Sequence, residues 1–375
     1  MRIAHVVGAR PNLMKVAPIM RALQRTDSVE QLLFHTGQHY DASLSDDIFH
    51  DLELPRADIN LGIGSGSHSE QTGRILIALE PALRRAEPDW VFTVGDVNST
   101  LAAALAAVSL GIRVAHVEAG LRSHDRSMPE EINRVLTDQI SEALFTTEPS
   151  ANENLRREGI DPSRIHYVGN VMIDSLDRYR ARAAELDAHE ALGVEPGEFV
   201  LVTVHRPNNV DEPARLAAVL GALGELASFQ PVVFPMHPRT ARNVKQFGLE
   251  LELAPLCVLG PVRYLEFLCL MEHAGLVISD SGGIQEETTV LGVPCITLRP
   301  NTERPITISE GTNQLFNGEL ADLPEVALAA LRSERRPHRP PLWDGHAAER
   351  VAQITLSRLA QGPRPTARTP GRRDR

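Results

Sequence analysis

Trp90-Val91-Phe92-Thr93-Val94-Gly95-Asp96-Val97-Asn98-Ser99-Thr100-Leu101-Ala102-Ala103-Ala104-Leu105-Ala106-Ala107-Val108 is the stretch whose reading decides the fold. Its first five residues are aromatic or β-branched without polar alternation, which suits a strand buried on both faces. Gly95 marks a turn, and the Ala/Leu run at residues 101–108 reads as a helix. A doubly buried strand running through a short turn into a helix is the repeating unit of a parallel sheet.

The same alternation extends in both directions. Residues 3–7, 31–35, 113–117 and 143–146 read as strands, and residues 13–23 as a helix. Ser150 and Glu153 have the spacing of a capping box at the start of a further helix. After a charged helix near residues 176–191 the pattern restarts, with strands at 199–204, 231–234, 276–279 and 294–298. The fold class is therefore α/β: two doubly wound Rossmann-like domains, 1–172 and 173–344, with a boundary in 169–176. Such domains bind ligands outside the carboxyl ends of their strands, so the site is expected in a central cleft. The 375-residue length suits two domains of roughly 100–200 residues. The Pro-, Arg- and Thr-rich tail 361–375 reads as disordered.

Composition narrows the function. A net charge of −11 disfavours nucleic acid and anionic membranes as partners, but a few local cations suffice for a phosphorylated small molecule. Cys257, Cys269 and Cys295 form no CxxC pair and no zinc-ligand spacing, which fits a reducing compartment. The start is too short an apolar run for a signal peptide, and no stretch approaches a membrane span. Gly62-Ile63-Gly64-Ser65-Gly66-Ser67 imitates a dinucleotide loop, but its third glycine is misplaced and no helix pattern follows at the required spacing. There is no GxxxxGK[ST] and no HExxH, so no cofactor and no metal is expected.

The strand ends carry the chemistry. Gly8-Ala9-Arg10-Pro11 with Lys15 places two cations near a helix start, where anions bind. Asp96 lies where a strand meets a helix; it can cap that helix or serve the cleft. Glu118 ends the strand 113–117, where a buried charge is costly unless paired. Glu130, after Pro129, either pairs with Arg134 at i,i+4 or points into the cleft beside Glu118 and Asp96. Carboxylates crowded at neighbouring strand ends push their pKa values apart, which lets an acid and a base coexist. His205, after another strand, can donate a hydrogen bond or act as a base. Ser281-Gly282-Gly283, between a strand and a helix, lets phosphate oxygens approach backbone N–H groups at the positive helix end. Glu287, one turn on, can take ribose hydroxyls, and Arg304 offers a further cation for a diphosphate.

Six motifs in order carry a resemblance. They are Gly8-Ala9-Arg10-Pro11 with Lys15, Thr36-Gly37-Gln38-His39, Gly95 to Thr100, His116 to Arg122, Pro129 to Arg134, and Ser279 to Glu287. Over about residues 2–360 the chain resembles the non-hydrolysing UDP-N-acetylglucosamine 2-epimerases. The resemblance implies the fold of the B-type glycosyltransferases, with a C-terminal helix (345–360) packing back on the first domain, and a cytoplasmic homodimer acting on a UDP-sugar. It implies that Asp96, Glu118 and Glu130 are the acid/base carboxylates, with the division between base and acid open, and that His205 joins the catalytic set. It assigns Arg10, Lys15, Arg134, Ser281, Gly282, Gly283, Glu287 and Arg304 to substrate binding and Phe267 to the neighbourhood of the uracil. Two segments depart from the family pattern, His205-Arg206-Pro207-Asn208 and Gln38-His39-Tyr40-Asp41. The second bears on regulation, for which Gln38 is the candidate residue. The implied reaction is inversion at C2 of UDP-N-acetylglucosamine by elimination and re-addition of UDP. The alternatives are a 2-epimerase of UDP-2,3-diacetamido-2,3-dideoxyglucuronate and a hydrolysing epimerase that releases N-acetylmannosamine.

Overall fold

The computed structural model describes residues 1–26, 28–37, 48–333 and 336–359; Gln38 and the tail 361–375 lie outside the described residues. The first sheet holds β1 (Arg2–Val7), β2 (Glu30–His35), β3 (Ile59–Asn60), β4 (Trp90–Val94), β5 (Arg113–Ala119), β6 (Ala143–Thr146) and β7 (Ile165–Tyr167). Their spatial order is β3-β2-β1-β4-β5-β6-β7, and every pairing is parallel. The second sheet holds β8 (Val200–Thr203), β9 (Val232–Pro235), β10 (Cys257–Leu259), β11 (Leu276–Ser279), β12 (Cys295–Thr297) and β13 (Asn313–Leu315). Its order is β10-β9-β8-β11-β12-β13, again all parallel. This is the α/β fold expected from the sequence. In each sheet the order reverses beside the first strand, between β1 and β4 and between β8 and β11, which opens a crevice at the carboxyl ends.

All of Trp90–Val94 is buried, as its unbroken apolar run requires. The helix that follows, Asn98–Ser109, begins three residues earlier than its Ala/Leu run, because Asn98, Ser99 and Thr100 already form its buried first turn. The edge strands β3, β7, β10 and β13 are two or three residues long, too short to leave a periodic signal. Two local expectations are corrected. The helix Pro149–Arg157 is not opened by a Ser150 capping box; Glu148 holds the N-cap position, Pro149 the first turn, and the Ser150 hydroxyl donates to Glu148. A helix, His68–Ala86, does follow the Gly62–Ser67 stretch, with the Ser67 hydroxyl accepting from the Glu70 N–H.

The helix Val171–Ala184 joins the two halves. It packs on helix Arg10–Gln24 of the first half and on helices Tyr264–His273 and Gly282–Leu291 of the second. Its Ser175 hydroxyl donates to the Met14 carbonyl at 2.6 Å, and its Tyr179 hydroxyl to the Leu52 carbonyl at 2.7 Å. The last helix, Ala347–Leu359, lies on helix Arg10–Gln24, where Ala347, Ala348, Val351 and Ala352 share a core with Ile3, Ile19, Leu23 and Trp90. Asp174 caps it from a distance in sequence, accepting the N–H groups of Ala347 and Ala348 at 3.1 and 2.7 Å. Among the described residues no helix is long and apolar enough to cross a membrane.

Candidate active site

Strand β11 delivers Asp280 to the carboxyl edge of the second sheet. Asp280 is fully buried and accepts from the backbone N–H groups of His205 (3.0 Å) and Arg206 (2.9 Å) and from the Asn209 amide (3.0 Å). Those bonds fix the loop after β8 against the start of helix Gly282–Leu291. His205 Nδ1 lies 3.2 Å from Asp280 Oδ1, and its ring stacks on His237 with centroids 5.1 Å apart. Burial holds the imidazole below its ordinary value, and Asp280 offsets this only in part. His205 is therefore a neutral imidazole at neutral pH.

The glycines divide their work. A Cβ on Gly282 would fall 2.8 Å from Glu303 Oε1 and closer still to Arg304 Nη1, so close packing of that ion pair demands glycine. A Cβ on Gly283 would meet only Met172 Cε, at 3.7 Å, and its outer side stays open for a ligand.

On the first sheet a bulge between Val117 and Ala119 re-aims Glu118, whose φ of +71° is unusual for a residue with a side chain. Lys15 Nζ stands 2.5 Å from Glu118 Oε2, and Arg304 Nη2 stands 2.8 Å from Glu118 Oε1. Arg304 also reaches Glu286 through Nε at 2.8 Å and Glu303 through Nη1. Glu303 continues to Arg299 at 2.7 Å and to Arg134 at 3.9 Å. Arg134 then bonds Asp96 Oδ2 through Nε at 3.0 Å and also holds Glu131. His116 bridges Asp138 at 2.6 Å and the Gly95 carbonyl at 2.8 Å, which steadies the turn that carries Asp96.

Charge follows this arrangement. Burial raises the Asp96 carboxyl, but Arg134, Lys15 and Arg304 together bring it below its ordinary value against the opposing Glu303. Burial likewise works against Glu303, yet Arg304, Arg299 and Arg134 pull it well down. Burial pushes Glu286 and Glu287 up to about 7. Glu148 is pushed to about 7 by burial, with Glu286 adding to the rise.

Of the expected residues, Lys15, Asp96, Glu118, Arg134 and Arg304 meet in this one network. Arg10 lies with Glu287 and Tyr264, whose hydroxyl donates to Glu287 Oε1 at 3.0 Å. Phe267 is half-buried on the same helix as Tyr264. Glu130 is half-buried in the first turn of helix Pro129–Ile140. The i,i+4 pair with Arg134 is not formed, because the next residue, Glu131, is the inward carboxylate; it takes Arg134 and the N–H groups of Ser123 and His124. Arg304 is not a free cation: it is buried and engaged by three carboxylates.

Asp280, Tyr264, Glu286, Glu131 and Glu303 escaped the sequence reading as site residues. Asp280, Glu286, Glu131 and Glu303 each adjoin a candidate residue, Tyr264 lies one helical turn before Phe267, and that proximity is the only signal. One grouping of metal-ligand types exists among the described residues, His189, Cys269 and His273. Its imidazoles stack 4.2 Å apart at 16°, so their in-plane lone pairs do not converge on one ion.

A family model described as UDP-N-acetylglucosamine 2-epimerase matches residues 21–356. A UDP-N-acetylglucosamine 2-epimerase of Methanocaldococcus jannaschii is 42% identical over 94% of this chain and 98% of its own. A UDP-2,3-diacetamido-2,3-dideoxy-D-glucuronate 2-epimerase of Pseudomonas aeruginosa is 39% identical over 94% of this chain and 99% of its own. The crystal structure of the Methanocaldococcus jannaschii UDP-GlcNAc 2-epimerase in complex with UDP-GlcNAc and UDP superposes with a TM-score of 0.90 at 41% identity, covering 95% of this chain and all of the other. With this fold, these motifs and these relatives, the chain belongs to the UDP-N-acetylglucosamine 2-epimerase family.

Proposed function

We propose that the protein catalyses the reversible inversion of C2 between UDP-N-acetylglucosamine and UDP-N-acetylmannosamine. The observation that carries this is the clamping of Glu118, on the first sheet, between Lys15 and Arg304, which follows β12 of the second sheet. That contact supports a site in which carboxylates of the first half would face a diphosphate held at the start of helix Gly282–Leu291.

The chemistry demands this pairing. The proton on C2 is not acidic, because no carbonyl adjoins it, and its direct removal would leave an unstabilised carbanion. Expelling UDP from C1 as the proton leaves avoids the carbanion and gives a 2-acetamidoglycal. Re-addition of UDP with protonation on the opposite face gives the manno epimer. The base and the acid come from Asp96, Glu118 and Glu130, and the ionised state of Asp96 suits a base. The N–H groups at the Ser281-Gly282-Gly283 helix start, with Arg10, Lys15 and neutral His205 as donors, would receive the charge that builds on the departing diphosphate. Glu287 would take the ribose and Phe267 would lie near the uracil. Closure of the two domains, 1–172 with the last helix and 173–344, would keep water from the glycal.

The enzyme is proposed to work in the cytoplasm as a homodimer. The exposed Ile77, Leu105, Val108 and Leu136 support the dimer; they lie on three neighbouring helices, His68–Ala86, Asn98–Ser109 and Pro129–Ile140. Proton NMR of UDP-N-acetylglucosamine with the enzyme in D₂O tests the function. Deuterium at C2 and a manno product are expected; binding with neither would reject the assignment. Free N-acetylmannosamine building up beside UDP would identify a hydrolysing enzyme instead. The Pseudomonas aeruginosa relative makes the diacetamido-glucuronate nucleotide the second substrate for the same assay.

A further inference from the structure

Glu286, on helix Gly282–Leu291 of the second half, and Glu118, on β5 of the first, meet at one cation. In a guanidinium the Nε and Nη2 groups share an edge, the edge that a single carboxylate would take with two parallel bonds. Here Arg304 splits it: Nη2 donates to Glu118 at 2.8 Å, while Nε faces Glu286 at 2.8 Å as an ion pair without hydrogen-bond alignment. Glu286 is fully buried, and neither of its carboxylate oxygens has a hydrogen-bond partner. A buried carboxylate in that condition is costly, whereas a neutral carboxylic acid is not.

The surrounding charge argues for the neutral form. Four cations, Lys15, Arg134, Arg299 and Arg304, stand in one chain of ion pairs with four carboxylates, Asp96, Glu118, Glu131 and Glu303. Glu286 is the surplus carboxylate on that chain. The groups that face it are Arg304 and Glu303 from the segment after β12, Glu118 from β5, Lys15 from helix Arg10–Gln24, Glu148 at the start of helix Pro149–Arg157, and its neighbour Glu287.

We propose that Glu286 is a positioning residue for the epimerisation: it competes with Glu118 for one edge of Arg304, and it must be protonated for Arg304 to hold Glu118 in the cleft. Protonated, it leaves Glu118 as the sole anion on that edge. Ionised, it draws the guanidinium away and repels Glu118. Burial places this ionisation at about 7, so the switch falls in the working range. This inference rests on the function proposed above.

The test follows kcat against pH, because Glu287, which also titrates near neutrality, is placed against substrate and its ionisation enters KM. Wild-type kcat is expected to fall as pH rises through about 7. In Glu286→Gln, which cannot ionise, that fall should move upward by at least about one pH unit, while Glu286→Asp should keep a fall of its own. An unchanged profile in Glu286→Gln would overturn the proposal. Infrared difference spectra give a second reading that needs neither turnover nor a folded Glu286 variant. A buried carboxylic-acid carbonyl band that shifts with isotope-labelled glutamate, and that persists in Glu148→Gln and in Glu287→Gln, should vanish as pH passes through neutrality. No such band below neutral pH would also overturn the proposal. Failure of the wild-type enzyme to epimerise the nucleotide sugar would count against the function alone, since the infrared band still judges Glu286.

Discussion

Arg304 Nη2 lies 2.8 Å from Glu118 Oε1, and the two residues belong to opposite halves of the chain, so one ion pair ties the halves together beside the proposed reacting centre. Arg304→Met would strand Glu118, Glu286 and Glu303 without their shared cation. Removing one partner from buried ion pairs costs about 3–5 kcal/mol, though Glu118 keeps Lys15 and Glu303 keeps Arg299. The variant should melt several degrees lower and lose turnover by on the order of a hundredfold or more. Arg304→Lys should recover part of the melting temperature but little turnover, since an ammonium cannot serve three carboxylates in one plane. Calorimetry beside steady-state rates checks both; a variant with normal rates would remove Arg304 from the mechanism.

The two glycines of the Ser281-Gly282-Gly283 turn should respond differently to alanine. Gly282→Ala forces a methyl against Arg304 and Glu303 and should lower stability by about 1–3 kcal/mol, as overpacking does. Gly283→Ala has room in the protein and should leave the melting temperature near wild type. Its methyl would instead crowd the diphosphate and raise KM. Thermal melts and KM for the nucleotide sugar separate the two, and equal behaviour would show that both glycines serve the same end.

Glu148 gives a pH signature. Burial lifts its folded value to about 7, above that of the unfolded chain. The folded state thus binds the proton more tightly, and the stability this confers is complete in acid and lost as pH rises through about 7. Glu148→Gln should therefore melt higher than wild type at mildly alkaline pH, with the gap closing toward pH 5 or so. A gap independent of pH would contradict the assignment.

An acidic residue placed on the exposed apolar face should loosen the proposed homodimer. Leu105→Glu, which is not in the core, is expected to raise the dimer dissociation constant by at least about tenfold while the folded monomer persists. Sedimentation velocity reads the change. An unaltered dimer would place the interface elsewhere, and a wild-type monomer would end the dimer proposal.

What the sequence disclosed follows from how each feature is encoded. Trp90–Val94 and Leu276–Ser279 are continuous apolar runs, so they were legible as buried strands to the residue. β3 and β13 are too short for any periodicity. The Ser150–Glu153 spacing misled because Pro149 can occupy the first turn itself and moves the cap back to Glu148. In the site, residues at strand ends were readable one at a time, since a charge after an apolar run is locally odd. Their connections were not. Glu131 and Glu130 are equivalent in sequence, and only the rotation of helix Pro129–Ile140 turns Glu131 inward. The meeting of Glu118, Glu286 and Glu303 at Arg304 depends on how the two sheets face each other, which no local pattern records.

Positional isotope exchange reaches the central claim most directly. UDP-N-acetylglucosamine would carry heavy oxygen in the bridge between C1 and the β-phosphorus, and phosphorus NMR would follow it during turnover. If the C1–O bond opens as C2 loses its proton, the label scrambles into the non-bridging β-phosphate oxygens at a rate comparable to epimerisation. Inversion at C2 with the label still in the bridge would contradict the account.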